Sequence, residues 1–162
     1  MRKIVLLTAA GLALALAPAA LATAAAPGHD QATGTGALAQ FGDPTAHVNA
    51  IQRDGRVSGS FTITYPDGTS VAGTVACAVA TGTVAYATGQ ITESSGPRQA
   101  TNNWLVGNYL VIGVQDNGEP GAGTDKLNFS PGFATHPGCG AHPDATPVFV
   151  IVDGNYRVVD GL

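Results

Sequence analysis

The chain is 162 residues long, carries a formal net charge of −4, and is only 11% charged. One domain is the natural count at this length. Seven scattered lysines and arginines give no electrostatic footprint for a nucleic acid, so a basic nucleic-acid binder is excluded.

Arg2 and Lys3 precede an apolar run over residues 4–21, broken by Thr8, Gly11 and Pro18 and followed by Ala22-Thr23-Ala24. A positive start, an apolar centre and a small-residue end are the layout of a secretory signal peptide. We therefore expect residues 1–24 to be a leader cut after Ala24. The run lies near the short limit for spanning a bilayer, and no cysteine follows it to carry a lipid. The expected product is exported, soluble and free of the membrane once the leader is removed. Export implies an oxidising compartment, where the two cysteines, Cys77 and Cys139, pair as a disulfide.

Residues 25–45 have little periodicity and read as a flexible lead-in with one short strand at 37–41. From residue 46 the pattern changes to alternation, the sign of half-buried strands. Residues 57–65 alternate apolar or glycine with small polar residues, which predicts an inward set of Val57, Gly59, Phe61, Ile63 and Tyr65. Asp54-Gly55 turns the preceding strand into this one, Pro66-Asp67-Gly68 leads to a strand over 70–79, and Thr81-Gly82 leads to another over 83–92. Residues 93–103 are polar and read as a longer loop. Residues 104–115 form the most apolar strand, 126–129 a short one, and 130–147 a long irregular segment with four prolines. Residues 148–152 and 156–159 flank Asp153-Gly154-Asn155 as a closing hairpin. No window beyond the leader has helical spacing with caps. The prediction is an all-β domain over 46–162: an antiparallel meander of seven or eight strands, closed or partly closed as a barrel, with a β-sandwich as the alternative.

Several of these turns occur together in a familiar order. Arg53-Asp54-Gly55, the Phe61 strand, Pro66-Asp67-Gly68-Thr69, the Cys77 strand, Asp116-Asn117-Gly118-Glu119-Pro120-Gly121 and the ending Gly154-Asn155-Tyr156-Arg157-Val158-Val159-Asp160 resemble uncharacterised small secreted β proteins of actinobacteria with a D-N-G-x-P-G element. The resemblance spans residues 46–162. It implies a bacterial secreted β fold and brings no catalytic residue.

Two clusters carry candidate chemistry. Asp116, Asn117, Glu119 and Asp125 place three carboxylates and an amide on a Gly/Pro-rich loop, a set of oxygens that suits calcium. The spacing departs from the EF-hand, and the same residues also read as two consecutive tight turns. His136, Cys139, His142 and Asp144 have the donor types of a transition-metal site, but a bridged Cys139 removes the sulfur. No serine lies in a G-x-S-x-G elbow, and Glu93 and Glu119, the only glutamates, both fall in loops. Trp104 and Tyr109 read as core or rim anchors, and Asn128-Phe129-Ser130 fits a glycosylation sequon.

The function expected from these residues is a secreted, non-enzymatic barrel domain, an extracellular binding or structural module. It would have no resident cofactor, and its partner would be a small apolar ligand or a cell-surface molecule. The alternatives are a small barrel enzyme of cyclase or isomerase type acting on an apolar ligand, and a calcium-stabilised surface protein. An internal cavity lined by convergent polar groups separates the enzyme from the module.

Overall fold

The computed structural model describes residues 28–118 and 124–161, so the expected leader, residues 1–24, and the loop residue Glu119 lie outside the described residues. Eight strands follow one another: β1 (His29–Leu38), β2 (Thr45–Arg53), β3 (Arg56–Thr64), β4 (Ser70–Thr81), β5 (Val84–Ser95), β6 (Tyr109–Gln115), β7 (Lys126–Phe129) and β8 (Phe149–Val159). Each pairs antiparallel with the next, and β1 pairs with β8, closing the sheet into a barrel. Closure pairs the first strand with the last, which is how an all-β fold limits pairing with other chains.

The period of two explains each strand. In β2, Ala46, Val48 and Ala50 are buried while Thr45, His47 and Asn49 face out. In β3 the expected inward set holds: Phe61 and Ile63 are buried, Tyr65 follows just past the strand, and Val57 packs against the core. The interior is filled by large side chains, among them Phe61, Ile63, Ile91, Leu110, Ile112 and Tyr156. Gly73 on β4 and Gly89 on β5 make room for the Phe61 ring, because a Cβ on either would enter it. The Tyr156 hydroxyl donates across the interior to the Ala46 carbonyl at 2.7 Å, and burial holds its phenol well above the usual tyrosine range.

Three segments differ from expectation. The lead-in read over 25–45 contains β1, a full strand paired on both sides. Its buried positions are Ala32, Gly36 and Leu38, too small in total for alternation to stand out, and the short strand expected at 37–41 is instead the end of β1 and its turn. The closing hairpin is a correction of the same kind, since β8 runs unbroken through Asp153-Gly154-Asn155. A register shift opposite Ala37 and Leu38 absorbs Val152 as a bulge, and Gly154, at φ 105°, lies so close to Thr35 that no Cβ would fit. A hairpin there would have left β1 without its second partner and the barrel open. Third, β6 begins at Tyr109 rather than Trp104, and Arg98–Thr101 form one helical turn (α1). Trp104 donates its backbone N–H to Gln99, which turns the indole inward.

The up-and-down order sorts the connections to two ends. Residues 39–44, 65–69, 96–108 and 130–148 meet at one end, and the tight turns lie at the other with both described termini. The longest connection also doubles back as a strap over the outer face of β4 to β7. Thr88 Oγ1 donates to Gly138 O at 2.8 Å, Phe133 bridges to Tyr109, and Asn128 Nδ2 donates to Asp144 O and Thr146 O. That amide is the sequon's acceptor atom, so in the folded chain it is engaged by backbone. The expected disulfide, Cys77–Cys139, fastens the strap to β4.

Candidate binding site at the loop end of the barrel

Where the long connections converge, a cleft of about 190 Å³ opens. Its floor is aromatic. Trp104 is 2% exposed and plugs the barrel, its indole N–H donating to Ser130 O at 3.2 Å. The rings of Tyr65 and Phe129 flank it at centroid distances of 6.0 and 5.9 Å. Phe41, Asn102, Asn128 and Pro131 complete the rim.

Arg98 ties the walls together. Its Nε donates to Asp67 Oδ2 at 2.5 Å, Nη1 donates to Phe41 O at 2.8 Å, and its backbone N–H donates to Thr69 Oγ1 at 3.3 Å. The guanidinium also stacks 4.3 Å from the Tyr65 ring centroid. One side chain thus joins the 39–44, 65–69 and 96–108 connections. The Arg98 guanidinium bonded to Asp67, with further help from Thr69, holds the Asp67 carboxyl down at about 2. Burial pushes the Tyr65 phenol up to about 12, against the opposing pull of Arg98. The Tyr65 hydroxyl makes no hydrogen bond to any described residue, so this cleft residue keeps a free donor on an otherwise aromatic floor.

An exposed ion pair has a small energy but a readable titration. Because the folded pKa of Asp67 is depressed, its contribution is present above the ordinary carboxylate pKa and is lost as pH falls toward about 2. Replacing Arg98 by Gln should return the Asp67 carboxyl toward its usual range and flatten the loss of stability between about pH 4 and 2. Carbon-detected NMR titration of the Asp67 carboxyl checks this, and an unchanged midpoint in the variant contradicts it.

The residues singled out in the sequence fall elsewhere. Asp116 and Asp125 sit at the opposite end of the barrel, beside β8. Asp125 is 5% exposed; its Oδ2 accepts from Tyr156 N at 2.6 Å and its Oδ1 from Asn117 N at 2.9 Å. Asp116 accepts from Val158 N at 3.0 Å and Gly118 N at 2.8 Å. Tyr156 and Val158 present their amides on the edge where β7, which pairs with β8 only through Lys126 and Leu127, has already ended. The two carboxylates therefore stand in for missing strand carbonyls. Glu119, the third carboxylate of the expected calcium set, lies outside the described residues.

Cys77, His136 and Cys139 come together, their donor atoms within 4.8 Å of one another, but both sulfurs are spent in the disulfide. His142 and Asp144 belong instead to a short 3-10 turn, Pro143–Ala145, where His142 Nδ1 accepts from Asp144 N at 3.3 Å. His47 pairs with Thr35 Oγ1 on the outer face. The sequence marked neither Arg98 nor Tyr65 as site residues, because no motif surrounds Arg98 and Tyr65 reads as one more inward position.

These features define a closed, eight-stranded, up-and-down antiparallel barrel with a filled interior, an aromatic cleft at its looped end and a disulfide-pinned strap. No family model, no curated protein and no solved structure matches the chain. The disulfide indicates an oxidising setting for the folded protein.

Proposed function

We propose that the chain is a secreted, non-enzymatic binding module that takes a small aromatic or aliphatic group in the cleft at the looped end. The observation that carries this reading is the contrast between a filled interior and an aromatic-floored cleft beside it whose Tyr65 hydroxyl has no partner among the described residues. About 190 Å³ is below the few hundred that drug-sized ligands occupy, so the cleft suits a single ring or one side chain of a larger partner. Aromatic walls with a few polar groups at the rim are the usual composition of such sites. The runner-up, a barrel enzyme enclosing an apolar substrate, has less support because Phe61 and Tyr156 occupy the space it would need. Outward-facing Thr45, His47, Asn49, Ser58 and Ser60 favour a water-facing exterior, the reverse of a barrel that meets lipid. The signal-peptide layout and the shared turns support secretion and kinship with the small actinobacterial β proteins.

Trp104, the only tryptophan, reports on the cleft from its floor. Titration with phenol, indole analogues without overlapping emission, and benzoate should give a saturable change in Trp104 fluorescence for at least one of them. A dissociation constant of about 1 mM is expected for a ligand of roughly ten atoms. Asn102→Phe, which fills the rim, should abolish the response while leaving the melting temperature unchanged. The absence of any saturable change across the set, or a response that survives the filled rim, would sink the reading.

A further inference from the structure

The two sulfurs of the disulfide are unequal. Cys77 is 5% exposed beneath the strap, whereas Cys139 lies in an exposed turn of it. His136 stands beside the buried sulfur, its Nε2 3.8 Å from Cys77 Sγ. The opposite ring nitrogen, Nδ1, accepts the Gly138 backbone N–H at 3.0 Å. A nitrogen that accepts carries no proton, so the neutral ring holds its proton on Nε2, pointing at Cys77. The Tyr109 ring, 5.1 Å away edge to face, keeps the imidazole in this orientation. The same tautomer disfavours reading the cluster as a metal site, since Nε2 could ligate only by moving its proton to the nitrogen that Gly138 already faces.

Thiol–disulfide exchange depends on which sulfur can be reached and how well the other one leaves. We infer that Cys77–Cys139 is a directional exchange site for an external dithiol, with Cys139 as the attacked sulfur, Cys77 as the leaving sulfur and His136 as the donor that receives the leaving charge. One thiolate of the dithiol bonds to Cys139 Sγ, and the electrons of the disulfide bond depart on Cys77 Sγ. The Nε2–H of His136 hydrogen-bonds that thiolate, which then takes a proton from water. The second thiolate of the dithiol then displaces Cys139 as a thiolate, which also takes a proton from water, leaving two protein thiols and the oxidised, disulfide form of the reagent. Reduction frees the strap near residue 139, where the Thr88–Gly138 bond still ties it to β5, while the Tyr109–Phe133 bridge keeps its start in place.

Two measurements on the oxidised, leaderless protein test this. Glutathione with rapid acid quenching and peptide mapping should place the mixed disulfide on Cys139 and the free thiol on Cys77; adducts on Cys77, or evenly divided, overturn the direction. Reduction by dithiothreitol without denaturant should be first order in reagent and about tenfold slower in His136→Asn, in which the side-chain oxygen can still accept from Gly138 while the shorter amide places no N–H where Nε2 faced Cys77. Equal rates in the two proteins, or a rate independent of reagent concentration because global unfolding limits it, refute the role of His136. If the variant melts lower than the parent, the site of the adduct in the parent protein decides the matter by itself.

Discussion

Replacing both Cys77 and Cys139 by alanine should lower the midpoint of thermal unfolding by roughly 15 °C. The bridge joins residues separated by 62 positions, and in the chain-entropy account a closed loop of that length restricts the unfolded chain by about 4 kcal/mol. That figure is an upper estimate for a bridge whose folded partners have other contacts. Here the strap retains the Thr88–Gly138 and Asn128 hydrogen bonds, which hold it against β5 and β7 without the sulfur. The barrel ladders do not depend on the bridge, so circular dichroism of the variant at low temperature should keep its β signal. Differential scanning calorimetry measures the shift. A change of only a few degrees would mean that the strap's other bonds already restrain the unfolded chain or that the bridge strains the fold.

Asp125→Ala should cost about 3 kcal/mol, a fall of roughly 10 °C in the melting midpoint. The carboxylate serves two backbone amides, and the Tyr156 amide is buried, so alanine leaves it with neither protein nor water. Asp125→Asn should fall between the two proteins, because the amide oxygen can serve one donor while its nitrogen faces the other. The loss should be the same with and without a calcium chelator, since the bonds described run to backbone N–H groups. A chelator-dependent difference between Asp125→Ala and the parent would contradict the strand-substitute role assigned to this residue.

Arg98 and Asp125 mark the boundary of what a sequence reader can see. Asp125 drew notice for its neighbours Asp116 and Glu119, and the oxygens suggested a cation. Its actual partners, Tyr156 and Asn117, include one that is 31 positions away, chosen by where β8 runs once β7 has stopped. Arg98 drew none, since an arginine in a polar loop after Pro97 is ordinary. Its bonds to Asp67 and Phe41 reach across 31 and 57 positions and exist only because three connections meet at one end of a barrel. The Cys77–Cys139 pair was legible for a different reason: with two cysteines in an oxidising setting, chemistry leaves one pairing.

Strand content, the tight turns at Asp54-Gly55 and Thr81-Gly82, and the inward set around Phe61 follow from the sequence by itself. Each depends on residues a few positions apart, and alternation writes the two faces of a strand directly into their order. The antiparallel barrel, closed or partly closed, was expected as well, but the pairing at its seam did not lie within that reach. It requires β1, whose small residues hide its period, to find β8 and to hold a bulge at Val152 instead of a hairpin at Gly154. The hydrogen bond from Tyr156 to Ala46, spanning 110 positions, belongs to the same class. Such contacts are selected by competition among whole arrangements of the chain, through burial and satisfied backbone groups, and only the tertiary structure records which arrangement prevailed.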